Sequence, residues 1–413
     1  LHKSLIVKKS VENNVTSLIP TTYLQNHKNT TIVLDNESAS ELTRFKTPWL
    51  VSTIDWVDSM KRKAIVWLCE TTGKSILKLT DEDYNKNGLS DLLALEGSSY
   101  DLNINMFNHF QNTITGWPGG KPAADDSTRP ERKSPKSKRV IIFSPHPDDD
   151  VVSMGGTFDR LVSQGHEVHI AYQVKGNIAV SDHDALKFIE VSKDMFKNNS
   201  KVPVGQLIKE LVNNKPDKID SQAVRDLKGF IRKREAIAAT RYIGIPDSNT
   251  HFMNLPFYDT GRIKKNPPTT KDVLITASLI KKIKPHQIFA AGDLEDPHGT
   301  HKVCLDVILD SLDTLKGEKF IKDCWLWLYR GAWLDWDVHD IDMAVPMSPA
   351  QVLRKRKAIF FHQTQKDGVM FQGQDLREFW VRAEERNSET AEKYKKMGLA
   401  DYAAIESFKR HYY

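Results

Sequence analysis

From about residue 139 onward the sequence predicts an α/β fold, a parallel sheet with helices on its faces, and three observations predict it. The run Arg139-Val140-Ile141-Ile142-Phe143-Ser144 is apolar and closed by a proline, as suits a buried strand. A polar turn, a helical pattern from Met154 to Gln164, Gly165 as its cap and a second strand from Glu167 to Val174 follow. Strand, turn, helix, strand is the opening of a parallel sheet. Later, Pro285-His286-Gln287-Ile288-Phe289-Ala290-Ala291-Gly292 reads as another buried strand, with a helix from about His301 to Leu315 after its loop. The expected fold is a Rossmann-like parallel sheet with flanking helices, preceded by a partial α/β tail and a small helical connector.

At 413 residues the chain is too long for one ordinary domain, and a prior of roughly 150 residues per domain gives two or three units. Its 39% hydrophobic and 27% charged residues lie in the normal globular range. Leu5, Ile6, Val11, Val15 and Leu18 space as a helix, and the opening on Leu1 reads as a fragment or processed product. Thr30 to Asp35 predicts a short buried strand and Glu37 to Leu42 a helix, closing a first region at 1–45. Residues 46–117 recur at helical spacing through Trp49, Trp56 and Ile65 to Leu68, and 118–138 has linker composition with Gly119-Gly120 and several prolines. The main domain is then 139–413, with a polar, lysine-rich helical insertion at Ser181–Leu211 and one long helix from Ala223 to Ile243 ending at Gly244.

A formal charge of +5 is small for this length, and part of it sits in Arg129 to Arg139, a basic run broken by two prolines. Such a run reads as a solvated linker, and no nucleic-acid-binding signature accompanies it. No stretch reaches the roughly 18 apolar residues of a membrane span, and no leader pattern opens the chain. Cys69, Cys304 and Cys324 show no metal or redox spacing, so a reducing compartment, the cytoplasm, is expected.

Two polar motifs carry the chemistry. Ser144-Pro145-His146-Pro147-Asp148-Asp149-Asp150 and Asp296-Pro297-His298-Gly299-Thr300-His301 each follow a predicted buried strand and precede a helix. In an open parallel sheet that is where ligands bind. Imidazoles and a carboxylate with one position left open are the pattern of a catalytic zinc. Three adjacent aspartates exceed what one metal uses, so one can ligate while another takes a proton from water.

These residues, with Gly155-Gly156-Thr157, a helix carrying Arg232 and Glu235, and His298-Gly299-Thr300-His301, resemble the PIG-L/LmbE family of N-acetylglucosamine deacetylases over roughly Lys138 to Tyr413. The resemblance implies His146, Asp149 and His301 as zinc ligands, Asp148 as general base and His298 as an assisting acid or oxyanion-stabilising group. It also implies sugar contacts from Arg232 and Asp259, with Arg262 as a candidate for an anionic substituent because a guanidinium suits phosphate. Zn2+ is the expected cofactor, with Fe2+ or another divalent ion as the alternative, since N/O ligands accept several metals. Two positions depart from the family: Asp150 stands where glutamate is usual, and Thr300 replaces an aspartate between the two histidines. The segment Lys357 to Gln365 resembles a further family element, and its His362 reads as structural.

Residues 2 to 42 are similar to the C-terminal portion of glucosamine-6-phosphate deaminase through His2-Lys3-Ser4-Leu5, Val11-Glu12, Leu24-Gln25-Asn26-His27 and Val33-Leu34-Asp35. That similarity implies Lys3 as a sugar-phosphate contact and 1–45 as a deaminase remnant in a deaminase–deacetylase fusion. The expected activity is zinc-dependent hydrolysis of the N-acetyl group of N-acetylglucosamine or its 6-phosphate. The alternative is a catalytically silent metal-binding accessory module of the deaminase. The partners expected are a small amino-sugar substrate and a second copy of the chain through the deaminase part, with no nucleic acid and no membrane.

Overall fold

A computed structural model describes residues 3–123, 127, 135–196, 204–214, 219–262, 264–294, 299–331, 334–366 and 377–413. The chain divides into two compact units. One holds residues 1–111 with 396–399, the other residues 112–395 with 400–413.

The first unit is helical: α1 (Ser4–Glu12), α2 (Asn36–Ala39), α3 (Thr43–Lys46), α4 (Asp58–Thr72), α5 (Asp81–Lys86), α6 (Ser90–Glu96) and α7 (Ser99–Thr113). Ala64, Ile65, Leu68 and Cys69 of α4 are buried, with Tyr84 and Phe110 among the fully enclosed aromatics. The Tyr84 hydroxyl donates to Asn103 Oδ1 at 2.7 Å, so the buried phenol keeps a partner. The strand expected at Thr30–Asp35 does not form. Those residues belong to no helix or strand, Val33 is 89% exposed, and no named strand among the described residues lies in this unit to share a ladder with them. The expected α/β tail is therefore helices and turns among the described residues, because backbone donors without a neighbouring strand are better satisfied by water. Helical spacing in 46–117 is matched by α4 to α7.

The second unit carries β1 (Arg139–Ser144), α8 (Asp149–Ser163), β2 (Glu167–Tyr172), α9 (Asp182–Phe196), α10 (Val204–Val212), α11 (Gln222–Ile243) and β3 (Thr250–Phe252). It continues through α12 (Thr270–Ile283), β4 (Gln287–Ala291), α13 (Thr300–Thr314), β5 (Trp325–Tyr329), β6 (Met343–Met347), α14 (Pro349–Phe360), α15 (Phe379–Lys396) and β7 (Ala404–His411). The seven strands form one sheet in the order β3-β2-β1-β4-β5-β7-β6. The first five run parallel, while β7 pairs antiparallel with both β5 and β6. Parallel strands buried on both faces need helices on each side, and the near-continuous apolar runs of β1 and β4 meet that need. Val140, Ile142, Phe158, Ile170, Phe289, Trp327 and Phe408 belong to one core cluster that joins strands to helices.

Local sequence sets where the helices stop and start. α11 ends at Gly244, whose φ of +108° closes the helix in a conformation that side-chain-bearing residues avoid. α14 opens with a capping box in which Ser348 and Gln351 bond each other's backbone, followed by Pro349 at the first helical position. No disulfide joins the buried Cys69, Cys304 and Cys324. No helix among the described residues is long and apolar enough to cross a membrane.

Candidate metal centre and active site

Strand order reverses at β1, which has β2 on one side and β4 on the other, so the loops leaving β1 and β4 open a crevice at their C-terminal ends. The first polar motif leaves from there, and the described part of the second, Gly299 to His301, opens α13 after β4. Ser144 ends β1, and its hydroxyl donates to the His146 carbonyl while accepting the Asp150 N–H at 3.1 Å. This pair of hydrogen bonds folds the loop so that Asp148 takes the position before α8, without a side-chain cap, and Asp149 becomes its first residue.

Asp149 Oδ2 is the hub. It accepts the His146 N–H at 2.8 Å and lies 3.1 Å from His146 Nδ1 and 3.2 Å from His301 Nε2, the latter from the first turn of α13. The two imidazole rings are 5.3 Å apart. His301 donates its Nδ1–H to the Asp293 carbonyl at 2.8 Å, which in a neutral ring leaves Nε2 as a lone pair facing the carboxylate. Two acceptors at 3.2 Å repel unless a proton or a cation lies between them. One ligand atom from each of His146, Asp149 and His301 falls within 4.8 Å of the others, so the residues present fit a divalent ion with two nitrogens and one oxygen. With a proton in place of a metal ion between His301 and Asp149, His301 is a cation. Burial would raise the Asp149 carboxyl, but that charge and the hydrogen bonds from His146 and His301 outweigh it and hold the group well below the usual carboxylate range.

The three consecutive aspartates face three different partners. Asp148 accepts from Arg232 Nη2 at 2.9 Å, a guanidinium only 1% exposed on α11. Burial works against the Arg232 cation, yet Asp148 and Glu235 keep it charged and raise its pKa. Asp150 is fully buried and accepts from the Tyr172 hydroxyl at 3.0 Å; burial pushes its carboxyl up to about 7, with the neighbouring Asp148 and Asp149 charges adding to the rise. The shorter acid at this position therefore reaches a phenol from β2.

His362, which the sequence reads as structural, is buried in this region. It follows α14, is 0% exposed, and neither ring nitrogen has a partner among the described residues. Burial first, and the Arg232 charge second, push it well below the ordinary histidine value, while Asp149 pulls the other way. The loop is pinned beside it: Thr364 donates its N–H and its hydroxyl to the two oxygens of Glu235, each at 2.8 Å, one turn along α11 from Arg232. A neutral imidazole and the unpartnered Nε and Nη1 of Arg232 thus share the buried polar surroundings of Asp148 and Asp149. The segment His362-Gln363-Thr364-Gln365 was the signal for this in the sequence.

The structure brings together His146, Asp148, Asp149, Arg232 and His301. His298 lies outside the described residues, as do Glu295 and Asp296, and Thr300 is buried at the start of α13. Asp259 is on the exposed side of the same region, 3.6 Å from Lys175 and 3.9 Å from Arg225. Arg262 is exposed, with its carbonyl accepting from Lys265 at 2.8 Å. Lys3 sits exposed at the start of α1 in the other unit.

A Bacteroides thetaiotaomicron protein described as glucosamine-6-phosphate deaminase-like is 50% identical over 416 residues; the match covers 98% of this chain and 63% of that relative, so the chain spans less than two thirds of the relative's length. The N,N'-diacetylchitobiose deacetylase of Pyrococcus horikoshii aligns at 17% identity and a TM-score of 0.42, covering 67% of this chain and 84% of that one. The 4-carboxy-2-hydroxymuconate hydratase of Pseudomonas putida aligns at 14% identity and 0.41, covering 67% and 97%. Residues 141–312, which include His146, Asp148, Asp149, Arg232 and His301, match the family model PIG-L: GlcNAc-PI de-N-acetylase, so this span is a PIG-L family domain.

Proposed function

We propose that this chain hydrolyses the N-acetyl group of an amino sugar, N-acetylglucosamine or its 6-phosphate, using a zinc ion held by His146, Asp149 and His301. The observation that carries the reading is the meeting of these three donors from two loops with a fourth polar group, Asp148, that does not share their hub and is held instead by Arg232. When bound, the metal supplies Lewis acidity and a water acidified toward neutrality.

Asp148 takes a proton from the attacking water as oxygen adds to the acetamide carbonyl carbon. When the C–N bond breaks, the same carboxyl returns that proton to the departing amine, and acetate and the free amino sugar are the products. Arg232 fixes the orientation of Asp148 through its 2.9 Å contact. His298, at the second loop, is the group proposed to stabilise the oxyanion or assist the leaving amine. The amino sugar is supported by the PIG-L match and by the description of the 50%-identical relative as deaminase-like.

The test is acetate released from N-acetylglucosamine and its 6-phosphate by the purified chain loaded with zinc, with the metal-stripped chain as control. Acetate that depends on metal is expected. Metal uptake without acetate from any N-acetyl sugar would instead leave a silent accessory module. Independently, His301→Ala is expected to lower bound zinc from roughly one ion per chain to background by elemental analysis; undiminished zinc would show that the ligand assignment is wrong.

A further inference from the structure

We propose that Lys175, Arg225 and Lys265, grouped around Asp259, form a subsite for an anionic substituent, a phosphate or a carboxylate, on the amino sugar. The inference rests on the deacetylase reading and names its substrate class.

Each cation is tied by structure to the reacting centre. Val174 N–H bonds the Pro145 carbonyl at 3.0 Å, and at Gly176, where φ is +63°, a β-carbon would lie 2.9 Å from Pro147 and 3.2 Å from Arg232 Nε. The stretch 174–176 therefore lies directly against the catalytic loop and the arginine of Asp148. Lys175 is the residue between, with Nζ 3.2 Å from Asp226 and 3.6 Å from Asp259. On α11, Arg225 precedes Arg232 by two turns, so their Cα positions share one face of the helix about 10 Å apart along the axis. Arg225 Nη1 is 3.9 Å from Asp259, and its Nε is buried without a partner among the described residues. Lys265 places Nζ 3.7 Å over the ring of Tyr258, and that ring stands edge-on to His146 with centroids 6.2 Å apart.

The charges do not balance within this group. Lys175, Arg225 and Lys265, with the exposed Arg262 and Lys264 on the same loop as Lys265, outnumber Asp226 and Asp259. Lys175 Nζ donates to Asp226 and Arg225 Nη2 to Gln222 Oε1, but Asp259 is exposed and its two ion-pair contacts exceed hydrogen-bond length, so further donors of both side chains, the buried Arg225 Nε among them, remain for an anion. Lys265 is half-buried against an aromatic face, and burial pushes its amine down to about 8, with Asp259 opposing. A partly desolvated excess of positive charge is costly until an anion reaches it. Arg232 at the base and Arg225 two turns away suit a small substrate whose acetamide and anionic group occupy opposite ends, because a guanidinium offers paired donors to phosphate or carboxylate oxygens. Asp259 remains placed to accept a sugar hydroxyl.

The experiment compares N-acetylglucosamine, its 6-phosphate and the carboxylate-bearing N-acetylmuramic acid as substrates of the zinc-loaded chain and of Arg225→Met, Lys175→Met and Lys265→Met. For the anionic sugar that fits, each variant raises KM about tenfold with little change in kcat, Arg225→Lys recovers part of the loss because it keeps the charge but not the paired donors, and added salt weakens that sugar alone. Phosphate or carboxylate preference assigns the anion. Equal effects on charged and uncharged sugars, or a wild-type chain that prefers the uncharged one, overturn the subsite. Binding of glucosamine 6-phosphate against glucosamine, read by calorimetry, requires no turnover: tighter binding of the phosphorylated amine that Arg225→Met abolishes supports the subsite even if deacetylation fails, and equal binding by both amines overturns it for phosphate.

Discussion

Asp148→Asn lowers the acetate-releasing kcat by about 10²- to 10⁴-fold, the range for a lost general acid–base, while zinc content stays at the wild-type level. The second half of the expectation makes the first informative. Asp148 does not touch the hub oxygen on which His146 and His301 converge, so removing its charge leaves all three donors in place. Asparagine keeps an oxygen that can accept from Arg232 Nη2, so the loop geometry survives, yet it cannot take a proton from water. The substitution also takes from the Arg232 cation, 1% exposed, the first of the groups that offset its burial and leaves Glu235 as the next. A loss of stability accompanies the loss of rate, because an uncompensated buried charge costs several kcal/mol. The two effects separate in Asp148→Asn combined with Arg232→Met: stability recovers as the orphaned charge goes, and activity does not. Zinc lost in Asp148→Asn, or a rate within tenfold of wild type, would transfer the proton-transfer role to another residue.

How much of this the sequence shows depends on how local the cause is. β1 was legible to the residue because an apolar run closed by a proline has few alternatives, and the end of α11 was legible because Gly244 supplies the left-handed turn. The convergence of His146, Asp149 and His301 followed from two polar loops leaving buried parallel strands, whose C-terminal ends must share an edge. The division of labour among Asp148, Asp149 and Asp150 was only partly legible. It is set by Arg232, His301 and Tyr172, which arrive from α11, α13 and β2, and nothing in three adjacent aspartates says which partner each will meet. His362 shows the same limit: the segment around it resembles a family element and so marks the residue, but that both ring nitrogens lie buried beside Arg232 is set by packing. The expected strand at Thr30–Asp35 failed for the converse reason, since an apolar run makes a strand only where another strand offers its edge.

Lys355→Met destabilises the chain by about 3 kcal/mol, the low end of the cost of breaking a buried ion pair, measured as a lower urea midpoint with an unchanged slope. Lys355, 2% exposed on α14, donates to Glu406 Oε1 at 2.8 Å and to Asn387 Oδ1 at 2.7 Å. Glu406, 0% exposed on β7, also accepts the N–H groups of Gly156 at 2.9 Å and Thr157 at 2.6 Å. Those two amides are free to bond outward because α8 departs from helical geometry at Met154, where φ and ψ are −137° and 27°. The group therefore joins α14, α15 and the strand inserted between β5 and β6 to the helix that begins at Asp149. Methionine keeps the stem that packs 3.0 Å from where a β-carbon on Gly155 would lie, so the cost is electrostatic and not a cavity. Gly156 and Thr157 continue to solvate the abandoned carboxylate, which is why the loss lies at the low end. Adding Glu406→Gln restores much of the stability, because the amide oxygen still serves a backbone N–H and no charge is left buried. A single Lys355→Met within about 0.5 kcal/mol of wild type, the range of an ordinary surface change, would mean that the amides of α8 satisfy Glu406 by themselves and that the lysine adds packing alone.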